Sequence, residues 1–146
     1  MKYPEATVGA VILNSEGKVL ICKSNKWNQK YVIPGGHIEA GEKMEAALVR
    51  EVKEETGLKI YDIQLLGITE SVYSKSFQEQ KHFIFVDFIC RSNSDQVTLN
   101  EEAQSYQWIK LSEIESYELE EFTANLLKEL RKGDSSKYRQ EIIYGL

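Results

Sequence analysis

Runs of apolar residues rich in Val, Ile and Phe mark out much of the chain as β-sheet. Such side chains suit a pleated, half-buried surface. The predicted strands cover residues 6–13, 19–22, 31–33, 60–74, 82–90 and 106–109. The turn sequence at 14–17 predicts a hairpin between the first two strands, and Pro-Gly-Gly at 34–36 is predicted to end the third.

Two other segments repeat apolar residues every three or four positions, which is the spacing of an amphipathic helix. The first is predicted over residues 42–56, with an inward stripe of Met44, Ala47, Leu48 and Val52. Gly57 then fits the left-handed cap that ends a helix. The second is predicted over residues 120–132, after a helical turn at 111–117, with an inward stripe of Phe122, Leu126, Leu127 and Leu130.

The size and composition predict one α/β (α+β) domain over residues 1–146, with 133–146 as a tail that docks on it. The 146 residues are 42% hydrophobic and 28% charged, as in an ordinary globular protein. The net charge of −5 argues against non-specific binding to nucleic acid or to an anionic membrane. A polyanionic substrate remains compatible with this charge, because a bound metal brings positive charge of its own.

The apolar runs also bear on the compartment in which the protein works. None is long enough to span a membrane, and no N-terminal signal pattern is present, so a cytoplasmic location is expected. Cys22 and Cys90 each lie inside an apolar run. We expect two buried thiols in a reducing compartment.

Candidate chemistry is concentrated at the end of the first helix. Glu51, Glu54 and Glu55 stand at positions i, i+3 and i+4, so a helix brings all three carboxylates to one face. Like charges at these spacings repel each other by roughly 0.2–0.5 kcal/mol per pair. Solvation of the face or a divalent cation would relieve the repulsion. Hard oxygen ligands favour Mg²⁺, with Mn²⁺ as an alternative.

The stretch from residue 36 to residue 58, GHIEAGEKMEAALVREVKEETGL, resembles the Nudix box of the MutT-like Nudix hydrolases. It fills every fixed position of that pattern: Gly36, Glu42, Arg50, Glu51, Val52, Glu54, Glu55, Gly57 and Leu58. The resemblance implies a Nudix fold, which is a mixed β-sheet sandwiched between α-helices. It also implies metal-dependent hydrolysis of a diphosphate linkage in a nucleoside diphosphate derivative.

The resemblance further implies a role for each acid of the box. Glu54 and Glu55 would be the main metal ligands, and the backbone of Gly36 would also approach the metal. Glu51 would be a further ligand or the base that takes a proton from water. A plain solvated helix face is the alternative for these three acids.

Other box residues would support this centre. Arg50 would hold Glu51 or a neighbouring carboxylate in place through a charge-assisted hydrogen bond, although a surface pair with Glu54 is the simpler alternative. Glu42 would support the loop, and the backbone of Gly35 would come close to the phosphates.

Residues outside the box complete the predicted site. Many family members use a carboxylate before a late strand, and Glu102 is the candidate here, with Glu101 as the alternative. Both also suit an exposed loop. A base pocket needs an aromatic or apolar wall with a few polar groups. The candidate substrate contacts are Trp27, Tyr31, His37, Phe83 and Phe85, each of which also suits the core or a loop.

The substrate is predicted from a looser resemblance. The segments PGGHIEAGE and HFIF are similar to the branch that hydrolyses a nucleoside triphosphate to a monophosphate and pyrophosphate. ADP-ribose or nucleotide-sugar hydrolysis is an alternative, but the downstream proline typical of ADP-ribose-specific members is absent. Because of Tyr73, a dinucleoside polyphosphate is a further alternative substrate. The sequence is also compatible with a homodimer.

Two non-catalytic functions are alternatives to these hydrolase activities. A nucleotide-binding module that has lost its activity is disfavoured by the intact acid set. A Ca²⁺-binding structural domain is disfavoured because the sequence holds no EF-hand loop.

Overall fold

The structure, a computed structural model, describes residues 3–133 and residue 142. The predicted tail at 133–146 therefore lies outside the described residues, apart from Gly133 and Ile142. Ile142 packs against the hydrophobic core. No helix in the described part of the chain is long and apolar enough to cross a membrane.

Seven strands, two α-helices and one 3₁₀ helix make up the described chain. The strands are β1 Glu5–Leu13, β2 Val19–Ser24, β3 Tyr31–Val32, β4 Gly35–His37, β5 Ile60–Val72, β6 His82–Ser92 and β7 Ala103–Ile109. The helices are α1 Met44–Thr56 and α2 Glu121–Arg131, with a 3₁₀ helix at Leu111–Ser116 before α2.

The strands form one mixed sheet around β1. Its main order is β3-β2-β1-β6-β5, with β4 paired to β1 and β7 paired to β2. β1 runs parallel to β6 and antiparallel to β2 and β4. The antiparallel pairing of β1 with β2 confirms the predicted hairpin.

Alternating residues of β1 supply the two faces of the sheet. Val8, Ala10 and Ile12 share a buried cluster with Leu48 and Val52 of α1. Successive side chains of a strand point to opposite faces. The next cluster therefore lies on the other face, where Val11 joins Leu126 and Leu127 of α2. The predicted architecture of a mixed sheet between helices is confirmed.

Most predicted elements are present, although one strand was not predicted and several bounds differ. The Pro-Gly-Gly at 34–36 does not end the sheet there, because Gly35–His37 form β4 along β1. Their sequence has no apolar run that would signal a strand. Helix α1 begins at Met44 rather than at residue 42, because the backbone of Lys43 is extended, with φ −73° and ψ 149°. β6 also extends to Ser92, and β7 begins earlier than predicted, at Ala103.

Both cysteines are buried free thiols, as predicted. Burial raises the pKa of Cys90 to about 12. Burial, with a smaller contribution from the charge of Glu55, likewise raises the pKa of Cys22 to about 12. Both thiols are therefore protonated and unreactive at neutral pH.

Gly57 ends α1 in the predicted left-handed conformation. Its φ is 75°, and its N–H donates to the carbonyl oxygen of Lys53 at 2.9 Å. A Cβ here would meet only ordinary contacts, the nearest being Thr98 Cβ at 3.7 Å. The backbone conformation, not crowding, is therefore what requires glycine.

We predict that Gly57→Ala lowers the free energy of unfolding by about 1–2 kcal/mol, because a Cβ disfavours the left-handed region. Gly67→Ala is the matched control. A Cβ there would meet no atom within 4 Å, and Gly67 is not among the glycines with positive φ. Urea denaturation followed by circular dichroism measures both variants. Equal effects of the two substitutions would contradict the role assigned to the helix cap.

Candidate active site

Three carboxylates from two parts of the chain meet beside β4. Glu51 and Glu55 lie one turn apart on α1, and Glu102 comes from the segment just before β7. One oxygen from each of the three lies within 4.8 Å of the others. Carboxylate oxygens at this separation match the ligand set of a hard divalent cation.

The position of Glu102 is fixed by the loop between β2 and β3. The Asn25 N–H donates to the Glu102 carbonyl oxygen at 3.0 Å, and Asn25 Nδ2 donates to the Glu101 carbonyl oxygen at 2.9 Å. Glu102 is half-buried in the cluster, whereas Glu101 is exposed. Of the two neighbouring acids, Glu102 is thus the one that faces Glu51 and Glu55.

The two glycines of β4 let its backbone touch the acids of α1. The Gly35 N–H donates to Glu55 Oε2 at 2.9 Å. A Cβ on Gly36 would overlap the Glu51 carboxylate, and one on Gly35 would overlap the Val8 carbonyl oxygen. Any side chain at either position would therefore push β4 away from the acids or from β1.

Arg50 binds the loop and one acid of the cluster together. Its Nε and Nη2 donate to the two oxygens of Glu42 at 2.8 and 2.9 Å, which is a bidentate pair. Its Nη1 donates to Glu51 Oε1 at 2.9 Å, and its Nη2 also donates to the His37 carbonyl oxygen at 3.0 Å. The hydrogen bonds from Arg50 lower the pKa of Glu42 to about 2. This geometry is what the predicted orienting role requires.

Glu54 points elsewhere. Its side chain is 55% exposed, and its Oε2 lies 3.4 Å from Arg50 Nη1. At 3.6 residues per turn, the i+3 position lies about 100° around the helix from Glu55. Within residues 3–133, Glu54 is not part of the group formed by Glu51, Glu55 and Glu102. Its role as a metal ligand stays a prediction.

Burial, together with the crowding of negative charge, sets the electrostatics of the cluster. Burial, with the nearby charges of Glu102 and Glu51, raises the pKa of Glu55 well above its usual range. Burial also raises the pKa of Glu51, although Arg50 opposes this. Burial acts upward on the pKa of Glu102, but its hydrogen bond with Lys26 and further hydrogen bonds lower the pKa overall. A cluster with two acids this hard to ionise fits a cation that would neutralise it.

An aromatic pocket adjoins the acids. Trp27 lies at its centre, with ring centroids 4.6 Å from Phe77, 4.9 Å from Phe122 and 5.8 Å from Phe83. The rings of Phe85 and Phe122 stack at 4.3 Å with an interplanar angle of 15°. The same pocket is lined by Glu51, Glu55 and Glu102, so an apolar wall and a carboxylate cluster share one opening.

The structure gathers four of the five predicted substrate contacts around this pocket, namely Trp27, His37, Phe83 and Phe85. Tyr31 is placed differently. It packs edge-on against Tyr117 at 5.6 Å and does not line the pocket.

Four further pocket residues with charged or aromatic side chains were not predicted from the sequence. Lys26, which pairs with Glu102, and Phe77 come from polar loops, while Phe122 was assigned only to the core. None of these three has a local signal that marks it as a site residue. Asp87 does have one, because it interrupts the apolar run of β6.

Comparison with known proteins finds a matching family and similar proteins. The NUDIX domain family model matches residues 4–130. Nucleoside triphosphatase NudI of Escherichia coli O139:H28 is 28% identical over 134 residues, which cover 85% of this chain and 95% of that protein. A MutT protein from Methanosarcina mazei Go1 has a crystal structure with a TM-score of 0.72 and 25% identity, covering 90% of this chain and 96% of that one.

A NUDIX hydrolase from Nitrosomonas europaea shares the fold with a TM-score of 0.78 at 24% identity, over 99% of this chain and 98% of that one. The family match at residues 4–130 spans most of the chain, and the acids and glycines that meet beside β4 lie within it. The protein belongs to the NUDIX family and is an enzyme of the Nudix hydrolase type.

Proposed function

We propose that this enzyme hydrolyses a nucleoside triphosphate to a nucleoside monophosphate and pyrophosphate in the presence of Mg²⁺, or of Mn²⁺ in its place. The observation that carries the proposal is the cluster of Glu51, Glu55 and Glu102 at the mouth of an aromatic pocket. The similarity to a nucleoside triphosphatase at 28% identity supports the choice of substrate.

The three clustered acids would hold the cation, and Glu54 is retained as a further ligand from the family motif. A bound Mg²⁺ neutralises phosphate charge and lowers the pKa of a water molecule. The carboxylate of Glu51 is held by Arg50 at 2.9 Å, so it can accept a proton from water without reorienting. The Gly35 N–H holds Glu55 in the same way, at 2.9 Å.

The remaining pocket residues would bind the two ends of the nucleotide. Lys26 is partly exposed beside Glu102, and its ammonium group suits contact with a phosphate oxygen. Trp27, Phe83 and Phe85 offer aromatic surface for a base. His37 lies at the same opening, with its Nε2 2.6 Å from Glu5 Oε1.

A substrate panel tests the proposal directly. The purified chain is incubated with nucleoside triphosphates, ADP-ribose, a nucleotide sugar and diadenosine polyphosphates, each with Mg²⁺, Mn²⁺, Ca²⁺ or EDTA. We expect pyrophosphate release from triphosphates with Mg²⁺ or Mn²⁺ and none with EDTA. Turnover confined to ADP-ribose or to dinucleotides would contradict the substrate class, and turnover in EDTA would contradict the metal dependence.

We predict that Glu55→Gln lowers kcat by about 10²-fold or more, since the substitution removes a charged ligand from the cluster and catalytic groups contribute on this scale. Glu45→Gln is the matched control, because Glu45 lies exposed in the first turn of the same helix. Pyrophosphate release is measured over a range of Mg²⁺ concentrations. A Glu55→Gln enzyme that saturates with Mg²⁺ like the wild type would remove Glu55 from the metal site.

We predict that Glu102→Gln also lowers turnover by about 10²-fold or more. The same change at the exposed neighbour, Glu101→Gln, is expected to leave turnover within about twofold, because surface substitutions rarely disturb a site. Steady-state kinetics of both variants decide between the two acids. Near-normal turnover of Glu102→Gln would exclude Glu102 from the mechanism.

A further inference from the structure

Asp87 is a buried acid in the wall of the pocket. It lies in the middle of β6 and is 0% exposed. Phe83, Phe85 and Asp87 alternate along the strand, so their side chains share one face of the sheet. All three line the pocket, with the aromatic residues toward one end of the strand and Asp87 beyond them.

Among the described residues, only one oxygen of this carboxyl group has a hydrogen-bond partner. Thr69 Oγ1 donates to Asp87 Oδ2 at 2.8 Å. Asp87 Oδ1 is buried and has no hydrogen-bond partner within the described part of the chain. Buried polar atoms are nearly always hydrogen-bonded, so an unsatisfied one in a pocket wall indicates a ligand group that completes it.

A glycine of the neighbouring strand lies beside this oxygen. Gly9 of β1 pairs with Asp87, and a Cβ on Gly9 would lie 2.7 Å from Oδ1. A side chain at position 9 would therefore crowd the carboxyl group. The same Cβ would also lie 3.1 Å from Ile33 Cδ1, so Gly9 leaves Oδ1 without a side chain from position 9 pressed against it.

The register of the sheet fixes how far Asp87 lies from the acids. Gly35, Gly9 and Asp87 form one row across β4, β1 and β6. Neighbouring strands are about 4.8 Å apart, so Asp87 lies on the order of 10 Å from Gly35. The Gly35 N–H is bonded to Glu55, so this end of the row lies at the carboxylate cluster and the other end lies at Asp87. The separation suits a nucleotide, whose phosphates and base lie on opposite sides of a sugar.

We propose that Asp87 is a specificity-determining residue, whose Oδ1 accepts a hydrogen bond from an exocyclic amino group of the nucleobase. This inference rests on the proposed function, and it names the substrate class as amino-bearing bases such as cytosine and adenine. A base with a carbonyl group at that position, such as uracil or hypoxanthine, would present one acceptor to another. Both acceptors would then be left unsatisfied in a buried site, which disfavours binding.

The protonation state of Asp87 is compatible with this role. Burial raises its pKa to about 7, although the Thr69 hydrogen bond opposes the shift. The Thr69 hydroxyl can donate a hydrogen bond to an ionised Oδ2 or accept one from a protonated Oδ2. Oδ1 can therefore act as an acceptor in both states.

Matched substrates test the inference, because CTP and UTP differ at position 4 of the base by an amino against a carbonyl group. ATP and ITP differ in the same way at position 6. For the wild type we expect kcat/KM to favour the amino-bearing member of a pair by at least about tenfold, the scale of one hydrogen bond to a charged group. A ratio near one in both pairs, or a preference for the carbonyl-bearing members, would overturn the inference.

Asp87→Asn is the informative variant. If Thr69 keeps its bond to the amide oxygen, the amide nitrogen takes the place of Oδ1 and presents a donor. The wild-type preference should then fall to near one or reverse toward UTP and ITP. Asp62→Asn, the same change at an exposed position of β5, should leave the ratios unchanged. An unchanged ratio in the Asp87→Asn enzyme would overturn the role of Asp87.

A binding measurement separates this inference from the proposed function. Titration calorimetry of the wild-type chain with CMP and with UMP, in EDTA, reports base selection without catalysis. Tighter binding of CMP by at least about tenfold supports the inference even if no triphosphate is hydrolysed, an outcome that would overturn only the proposed function. Equal binding of the two, or no binding of either, overturns the inference, and it does so without a variant whose folding could be in doubt.

Discussion

Crowded negative charge between α1 and β4 is the constraint on which the rest of the site depends. Glu51, Glu55 and Glu102 bring their oxygens within 4.8 Å of one another in a partly buried place. Such an arrangement is costly unless each charge has a partner or is neutralised. A metal ion is the strongest candidate for that neutralisation.

Each of the three acids contacts one hydrogen-bond donor or cationic group of the protein. The Gly35 N–H meets Glu55, the Arg50 guanidinium meets Glu51, and the Lys26 ammonium meets Glu102. These groups come from a strand, a helix and a loop, so the position of each acid is set by a different element. Glycine is then required at position 36, because a Cβ there would take the space of the Glu51 carboxylate.

The sequence predicted these residues well where their spacing along one helix decides the outcome. The inward stripe of α1 and the approach of Glu51 and Glu55 follow from 3.6 residues per turn. The cap at Gly57 follows from the left-handed backbone that glycine adopts readily. The helical spacing also predicts Glu54 on the face of the other two acids, whereas its side chain turns toward Arg50 and solvent instead of the cluster. Pairing between distant strands has no such local rule. β4 was therefore missed, since Gly35–His37 become a strand only because β1 offers them hydrogen-bonding partners.

The side chains that line the pocket were equally hard to predict from the sequence. Its aromatic wall draws on two loops, β6 and α2, and no pattern within any one of them says that Phe77 and Phe122 will meet at Trp27. Tyr31 carried the same chemical signal as Trp27, yet its ring packs against Tyr117 outside the pocket. Residue type can suggest a substrate contact, but the register of the sheet decides which side chains meet in the pocket.

The register of the sheet also fixes the position of Asp87 relative to the carboxylate cluster. The row from Gly35 through Gly9 to Asp87 crosses three strands whose hydrogen bonds fix their relative positions. A slip of one residue in β6 would turn Asp87 to the opposite face and replace it with an apolar neighbour. Such a slip would leave the acids of α1 in place and remove only the polar group from the pocket wall. Bond cleavage and base selection are therefore carried by different elements, and the pairing of β1 with β6 is what holds them at a fixed separation.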